Sequence, residues 1–479
     1  MAKIGPLAPG TLAEASAKAL PAARLGRVHF VGMGGAGMSG IARIMLARDM
    51  AVSGSDSTPS ALLDDLAGLG AGVYIGHAAR NLGSLGPGDT LVVSSAIRAD
   101  NPELVEAGRR GMRVLHRAAA LASVMAGRRV IAVAGTHGKT TTTSMLTTVL
   151  RDCGADPGYV IGGVLRETGL GAEDGAGMDF VAEADESDGS FLLLSPDAAI
   201  ITNVEADHLD NYRDLAEIKA AFTTFGQRVG HLVISCADDE GAEAVAGALD
   251  PARVRRYGES AHADYRLSDV RQTGMNTSFA VAAEHSPFGE IFSQLTLSVP
   301  GRHYALDATA AFAMAVELGF APPRVTAALA AFRGARRRLE LKGEAGGVRV
   351  LDSYAHHPTE LAADLRAARE LADGGRIIAI FQPHLFSRTR IFAAGFGASL
   401  GLADVAIVLD VYAAREDPEP GVTGELVARA VPSGKAWFVP EADRVPEMVA
   451  GLAEPGDVVL TMGAGDVTKL GPMLLEALG

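Results

Sequence analysis

The segment RVIAVAGTHGKTTTTSMLTTVL, from Arg129 to Leu150, decides the fold. Val130–Ala134 is a short apolar run without polar alternation, the pattern of a strand covered on both faces of a parallel sheet. Gly135–Thr140 reads as a turn, and Thr141–Leu150 carries helix-compatible spacing. A full Walker pattern requires glycine at position 133, where this chain has Val133; a shorter Gly-x-x-Gly-Lys-Thr turn remains. In such a turn, backbone N–H groups cradle phosphates, Lys139 neutralises β/γ oxygens and Thr140 offers a ligand to Mg²⁺. Gly135, Thr136, His137, Gly138, Lys139, Thr140 and Thr141 are therefore the expected ATP-binding segment. Strand, loop, lysine, threonine and helix all agree, which a chance glycine turn would not produce.

The same unit recurs on both sides. Towards the N-terminus, Val28–Val31 enters Gly32-Met33-Gly34-Gly35-Ala36-Gly37, and helical spacing continues through Ile41–Leu46. Met50–Ser53 then leads to Asp56, and Leu91–Val93 is a further buried-type strand. This matches GxGxxG between strand and helix, with a carboxylate at the end of the next strand. Alone it favours a dinucleotide oxidoreductase; a diphosphate ligand is the expectation it supports, and tight strand–helix packing is the bland alternative.

Towards the C-terminus, strands are expected at Phe180–Ala182, Ala199–Thr202 and Leu232–Ser235. Glu183-Ala184-Asp185-Glu186-Ser187-Asp188 follows the first and Asn203-Val204-Glu205-Ala206-Asp207-His208 the second, so both clusters can meet the phosphate loop beyond the strand ends. One carboxylate with His208 suits Mg²⁺, whereas Asp185 and Asp188 individually read as solvated loop acids. A third unit begins after Arg336–Arg338, with strands at Arg349–Leu351, Ile377–Phe381, Val405–Leu409 and Val458–Thr461. The expected fold class is α/β with three domains around a shared cleft: 1–126, 127–335 and 336–479.

Composition sets bounds. Lys plus Arg number 43 against 57 Asp plus Glu, a net charge of −14 that disfavours nonspecific binding to nucleic acid. Aromatic residues are only 5%, too few for extensive base stacking. Cys153 and Cys236 form neither a CxxC pair nor a metal cluster, and two cysteines fit a reducing compartment. No apolar run reaches the ~20 residues of a membrane helix. The N-terminal MAKIGPLAPGTLAEASAKAL lacks a secretory pattern, so a cytoplasmic location is expected.

Three motifs together resemble those of the Mur ligases: Gly135–Thr141, Asn203–His208 and Tyr354-Ala355-His356-His357-Pro358. The stretch HFVGMGGAGMSGIA, His29 to Ala42, narrows the resemblance to members that act on UDP-N-acetylmuramate and L-alanine, and it runs from about Arg27 to the C-terminus. The resemblance implies a Rossmann-like N-terminal domain for the UDP-sugar, a central P-loop-type ATPase domain with a mostly parallel sheet, and a Rossmann-like C-terminal domain for the amino acid. It implies an ATP-dependent, amide-forming ligation with Mg²⁺, small-molecule substrates, no nucleic acid or membrane partner, and a monomer or weak homodimer.

The resemblance assigns residues as well. Gly34, Gly35, Ala36, Gly37, Met38, Ser39 and Gly40 match the UDP-binding segment, with Asp56, His77 and Ser95 as weaker candidates. Lys139 matches the phosphate lysine; Thr140, Glu183 and His208 match the magnesium positions, with Glu186 a competitor to Glu183. Arg338 resembles an arginine that reaches the ATP phosphates, and Asp352 a nucleotide-contacting aspartate. Tyr354, His356, His384 and Arg388 match the alanine-binding positions. Tyr304 and Asp307 replace two common asparagines; the expectation is that Tyr304 stacks on adenine and Asp307 accepts hydrogen bonds. Ser353 replaces a frequent second aspartate, and Leu385 a residue that is often basic.

Overall fold

The computed structural model describes residues 20–479 apart from Asp210 and Arg415. The stretch read for a leader, 1–20, lies outside the described residues apart from Leu20. The chain forms two compact units. One runs to Arg266 and adds Ala283–Glu290 and Thr309–Ala328; the other takes Leu267–Ala282, Ile291–Ala308 and Leu329–Gly479.

The first unit holds two sheets. β1 (Val28–Val31), β2 (Val52–Asp56), β3 (Gly72–Ile75), β4 (Thr90–Val93) and β5 (Arg113–His116) stand in the order β3-β2-β1-β4-β5. Every pair is parallel. Between them the chain crosses through helices such as Ala36–Ala47 and Pro102–Arg109, the doubly wound arrangement. Val31, Leu91 and Val93 pack with Leu82, Leu85, Ala107 and Met112 on one side of this sheet.

The second sheet contains β6 (Arg129–Ala134), β7 (Gly158–Val160), β8 (Ala172–Glu173), β9 (Asp179–Glu183), β10 (Ala198–Ile201), β11 (Leu232–Cys236) and β12 (Val254–Gly258). Its order is β12-β11-β10-β6-β9-β7-β8, and only β8 runs antiparallel to its neighbour. Ile131, Ala132, Val133 and Ala134 are completely buried, which is why β6 reads as an unbroken apolar run.

In the second unit, β13 (Tyr265–Thr273), β14 (Asn276–Ala283) and β15 (Ile291–Leu297) lie side by side. The other sheet has β16 (Glu340–Ala345), β17 (Val348–Ser353), β18 (Ile377–Phe381), β19 (Val405–Val408), β20 (Ala436–Phe438) and β21 (Val458–Met462), in the order β16-β17-β21-β18-β19-β20. β16 pairs antiparallel and the rest parallel. Ile378, Ile380, Ile407 and Val459 meet Leu470 and Leu474 of the helix Leu470–Leu478. Each such side chain contributes about 1.5–3 kcal/mol on burial.

Two expectations shift in detail. The helix after the phosphate loop starts at Lys139, so Lys139 and Thr140 sit on its first turn and not in the loop. Strands β3 and β5 escape the apolar-run reading because their residues are mostly exposed or half-buried. Both cysteines are buried free thiols, and burial pushes Cys236 up to about 12.

Candidate functional site

The phosphate loop sits at the C-terminal end of β6, between β9 and β10, where a parallel sheet leaves a crevice. Gly135 has φ 145°, and a Cβ there would lie 1.9 Å from Thr202 Oγ1. Gly138 caps the helix in the left-handed region at φ 79°, with no side chain on the first N–H groups. Those N–H groups are the anion-binding end of the helix. The loop is buttressed by the segment that follows β10: His137 N donates to Asn203 Oδ1 at 2.7 Å, Thr202 Oγ1 donates to the His137 carbonyl at 2.6 Å, and Glu205 N donates to Thr136 Oγ1 at 2.9 Å.

Lys139 Nζ folds back onto the Gly135 carbonyl at 2.6 Å and lies 2.8 Å from Glu186 Oε2. Burial works against its charge, but Glu186, Asp185 and Glu183 outweigh it and hold the ammonium above the ordinary lysine value. Thr140 Oγ1 donates to Glu183 at 3.0 Å, and Gly162 N donates to the same carboxylate at 2.7 Å. His208, at φ 53°, places Nε2 3.6 Å from Glu186 Oε1 and from Asp207 Oδ2. Glu186 thus joins Lys139 to His208, while Glu183 joins Thr140.

Asp185 and Asp188 are half-exposed, yet each is paired with a base. Asp185 Oδ2 lies 3.1 Å from Arg117 Nη2 and Asp188 Oδ2 3.5 Å from His116 Nε2, because the end of β5 delivers both bases to this loop. Burial works against the Asp185 charge, yet Arg117, Lys139 and His208 hold its carboxyl well below the usual range.

A cavity of about 440 Å³ opens beyond β1, lined by Gly32, Gly34–Met38, Asp56, Thr58, Ser60, Ser94, Ala96, Ile97 and Arg117. That size suits a small-molecule ligand. Asp56 Oδ2 accepts from Gly34 N at 2.8 Å, and the helix Ala36–Ala47 has no side-chain cap. Gly34, Gly35, Ala36, Gly37, Met38 and Asp56 are therefore together at the cavity. Ser39 and Gly40 are not in its lining: Ser39 Oγ donates to the Ala36 carbonyl at 3.0 Å, and a Cβ on Gly40 would meet Ala172 at 3.0 Å.

Ser94 lines the cavity, whereas Ser95, in the turn after β4, is exposed and outside the lining. His77 also lies off the lining and bonds Ser55 Oγ at 2.9 Å. Ser55 Oγ in turn donates to the fully buried Glu103 at 2.6 Å. Burial raises this carboxyl, but His29, Ser55 and Asn81 prevail and hold it at about 2.

In the second unit, the expected amino-acid residues gather at the ends of β17 and β18. The Tyr354 ring is 5.4 Å from His356, and His356 is 6.3 Å from His384. Arg388 Nη1 lies 3.5 Å from His384 Nδ1. Tyr412, which sequence reasoning missed, stacks on His384 at 5.9 Å and 13°. It follows β19, so the strand-end rule could have found it, as it could have found Arg117 after β5.

Arg338 stands 5.4 Å over the Tyr354 ring, between Arg337 and Leu339 at φ 58° and 47°. Left-handed non-glycine residues on both sides are a strained backbone that persists only where the surrounding structure fixes it. Arg337 donates to the Gly463 and Gly465 carbonyls, and Arg338 Nη1 lies 3.9 Å from Glu360 Oε1.

Three residues expected at the nucleotide, Asp352, Tyr304 and Asp307, are buried. Asp352 is completely buried and accepts from Thr461 Oγ1 at 2.8 Å and Thr468 Oγ1 at 2.6 Å. Tyr304 is 3% exposed, its ring 4.2 Å from His303, and Asp307 is also buried. Near them, Ser353 Oγ donates to Asp364, whose carboxyl burial raises to about 7. His303 Nε2 lies 3.5 Å from Asp364, and burial followed by the Arg338 charge lowers this imidazole to about 4.

Similarity to known proteins covers nearly the whole chain. The family models described as Mur ligase family, catalytic domain; Mur ligase middle domain; and Mur ligase, glutamate ligase domain match residues 27–129, 133–315 and 337–465. The chain is 56% identical over 466 residues to the UDP-N-acetylmuramate–L-alanine ligase of Thermobifida fusca (strain YX), covering 95% of this chain and 97% of that protein. It is 56% identical over 464 residues to the protein of that name in Kineococcus radiotolerans, with 95% and 97% covered. A crystal structure of the UDP-N-acetylmuramate-alanine ligase from Thermotoga maritima matches with TM-score 0.79 at 30% identity, covering 94% and 98% of the two chains. A murein peptide ligase from Psychrobacter arcticus matches with TM-score 0.69 at 25% identity, covering 95% and 98%.

Proposed function

The chain belongs to the Mur ligase family, and on that premise we propose that it joins L-alanine to the lactyl carboxylate of UDP-N-acetylmuramate at the expense of ATP. The products are UDP-N-acetylmuramoyl-L-alanine, ADP and phosphate, a step of peptidoglycan precursor synthesis. The observation that carries this reading is the phosphate loop with its charged, half-buried Lys139, in a chain whose close relatives match over almost their full length.

A carboxylate resists attack by an amine, so its oxygen first becomes a leaving group. The carboxylate oxygen attacks the γ-phosphorus, the bond to ADP breaks, and an acyl phosphate forms. The alanine amine, in its neutral form, then attacks the carbonyl carbon; the bond to phosphate breaks and the amine gives up a proton. Lys139, the loop N–H groups and Arg338 stabilise charge on the transferring phosphoryl oxygens. Gly34–Met38 and Asp56 hold the UDP portion, and Tyr354, His356, His384 and Arg388 the alanine, with Arg388 facing its carboxylate.

The pairing of Thr140 with Glu183 supplies hard oxygen donors beside the phosphate loop, with His208 in the same acidic neighbourhood, and this set suits Mg²⁺. Bound there, the ion would screen the repulsion between substrate carboxylate and γ-phosphate. Domain limits of 1–126, 127–335 and 336–479, a cytoplasmic location and a monomer or weak homodimer complete the proposal. Among the described residues, no helix is long and apolar enough to cross a membrane.

Purified protein with ATP and Mg²⁺ should release phosphate efficiently only when both UDP-N-acetylmuramate and L-alanine are present. The product mass should equal that of the alanyl conjugate. Similarity to the murein peptide ligase supplies a second reading, addition of a preformed peptide. Turnover with a tripeptide and none with L-alanine would establish that reading instead.

A further inference from the structure

The Gly-loop cavity has a charged wall that belongs to no motif. Arg117 opens the helix Arg117–Met125 directly after β5 and lines the cavity beside the Gly34–Met38 turn. A Cβ on Gly37 would come within 2.7 Å of its Nη1, so the absence of a side chain at 37 is what lets the guanidinium lie there. On its other side, Nη2 lies 3.1 Å from Asp185 Oδ2. Asp185 belongs to the loop whose next residue, Glu186, pairs with Lys139. A single guanidinium is thus shared between a cavity edged by uncapped helix N–H groups and the acidic loop of the phosphoryl centre.

The pairing is exchangeable. The two side chains are 24% and 37% exposed, and an ion pair that water reaches contributes little on its own. An anion entering the cavity meets a planar, permanently charged donor with further N–H groups to offer. The uncapped N-terminus of the helix Ala36–Ala47 favours the same sign of charge.

We propose that Arg117 binds an anionic oxygen of the UDP-sugar substrate, from its diphosphate or its carboxylate, exchanging its pairing with Asp185 for that contact. Occupation of the cavity is thereby felt at the loop that carries Glu183 and Glu186. This inference rests on reading the chain as a ligase of UDP-N-acetylmuramate.

Calorimetric titration of UDP-N-acetylmuramate and of UDP-N-acetylglucosamine into wild type, Arg117→Ala, Arg117→Lys and Asp185→Asn tests it. Arg117→Ala should weaken UDP-N-acetylmuramate binding about tenfold or more, the range of a lost charge-assisted hydrogen bond. Arg117→Lys should recover part of the loss. Asp185→Asn, which leaves the arginine in the cavity without its competitor, should bind at least as tightly as wild type. A loss in Arg117→Ala shared by both ligands assigns the diphosphate; a loss confined to UDP-N-acetylmuramate assigns the carboxylate. Equal weakening by Arg117→Ala and Asp185→Asn would identify a structural strut and overturn the inference, as would unchanged binding in Arg117→Ala. Wild-type protein that fails to bind UDP-N-acetylmuramate would overturn the functional reading itself, before any substitution is compared.

Discussion

At the scale of single residues, Lys139 carries the strongest expectation. It is the first residue of its helix, its ammonium rests on the Gly135 carbonyl, and three carboxylates keep it charged. Lys139→Ala should lower turnover at least ~100-fold, as removal of a transition-state charge partner does, while circular dichroism stays close to wild type. A folded variant with unchanged turnover would remove the lysine from the mechanism. Sequence reasoning found Lys139 because its neighbours form a motif. It missed Arg117 and misjudged Asp185 for one reason: each is explained by the other, across 68 positions that no local pattern connects.

At the scale of elements, β6 and the helix after it were legible because burial on both faces leaves an unbroken apolar run that ends in glycines. The helix start was harder to place, since Gly138 caps it by conformation and offers no Ser, Thr, Asp or Asn as a signal. The joint itself makes a prediction. Gly135→Ala would combine a positive φ with a Cβ 1.9 Å from Thr202 Oγ1. It should destabilise the protein by about 1–3 kcal/mol and abolish ATP binding. Thermal melting and ATP calorimetry check both; a stable variant that binds ATP normally would contradict the geometry.

The helix Pro358–Ala372 offers a pH test. Its Asp364 is pushed up to about 7 by burial, so the folded chain keeps a proton that the unfolded chain releases near ~3.9. The folded state then binds more protons between about pH 4 and pH 7, and the Asp364 contribution to stability falls as pH rises through that window. Asp364→Asn removes this slope, while His303 remains in both proteins. The melting temperature of the variant relative to wild type should climb from about pH 4 to about pH 7.5. A difference that stays constant would show that the buried carboxyl is already ionised at the acid end.

At the scale of the whole molecule, the chain carries a net charge of −14, yet it is to take up a UDP-sugar and ATP, both strongly anionic. Local features supply the attraction: an uncapped helix end beside Arg117, and a phosphate loop beside Lys139. These act over a few ångströms, whereas the net charge acts over the Debye length, ~30 Å at 0.01 M salt and ~8 Å at 0.15 M. Approach is therefore opposed by the long-range field and rewarded only at contact. Modest monovalent salt should screen the repulsion first, because the partly buried contacts in the cavity are screened much less. The expected outcome is that kcat/KM for UDP-N-acetylmuramate rises between these two salt concentrations, with kcat nearly unchanged. Steady-state kinetics at constant Mg²⁺ and pH measures it. A fall in kcat/KM over the same range would mean that positive charge around the cavity already dominates the approach, and that net charge says nothing about encounter in this enzyme.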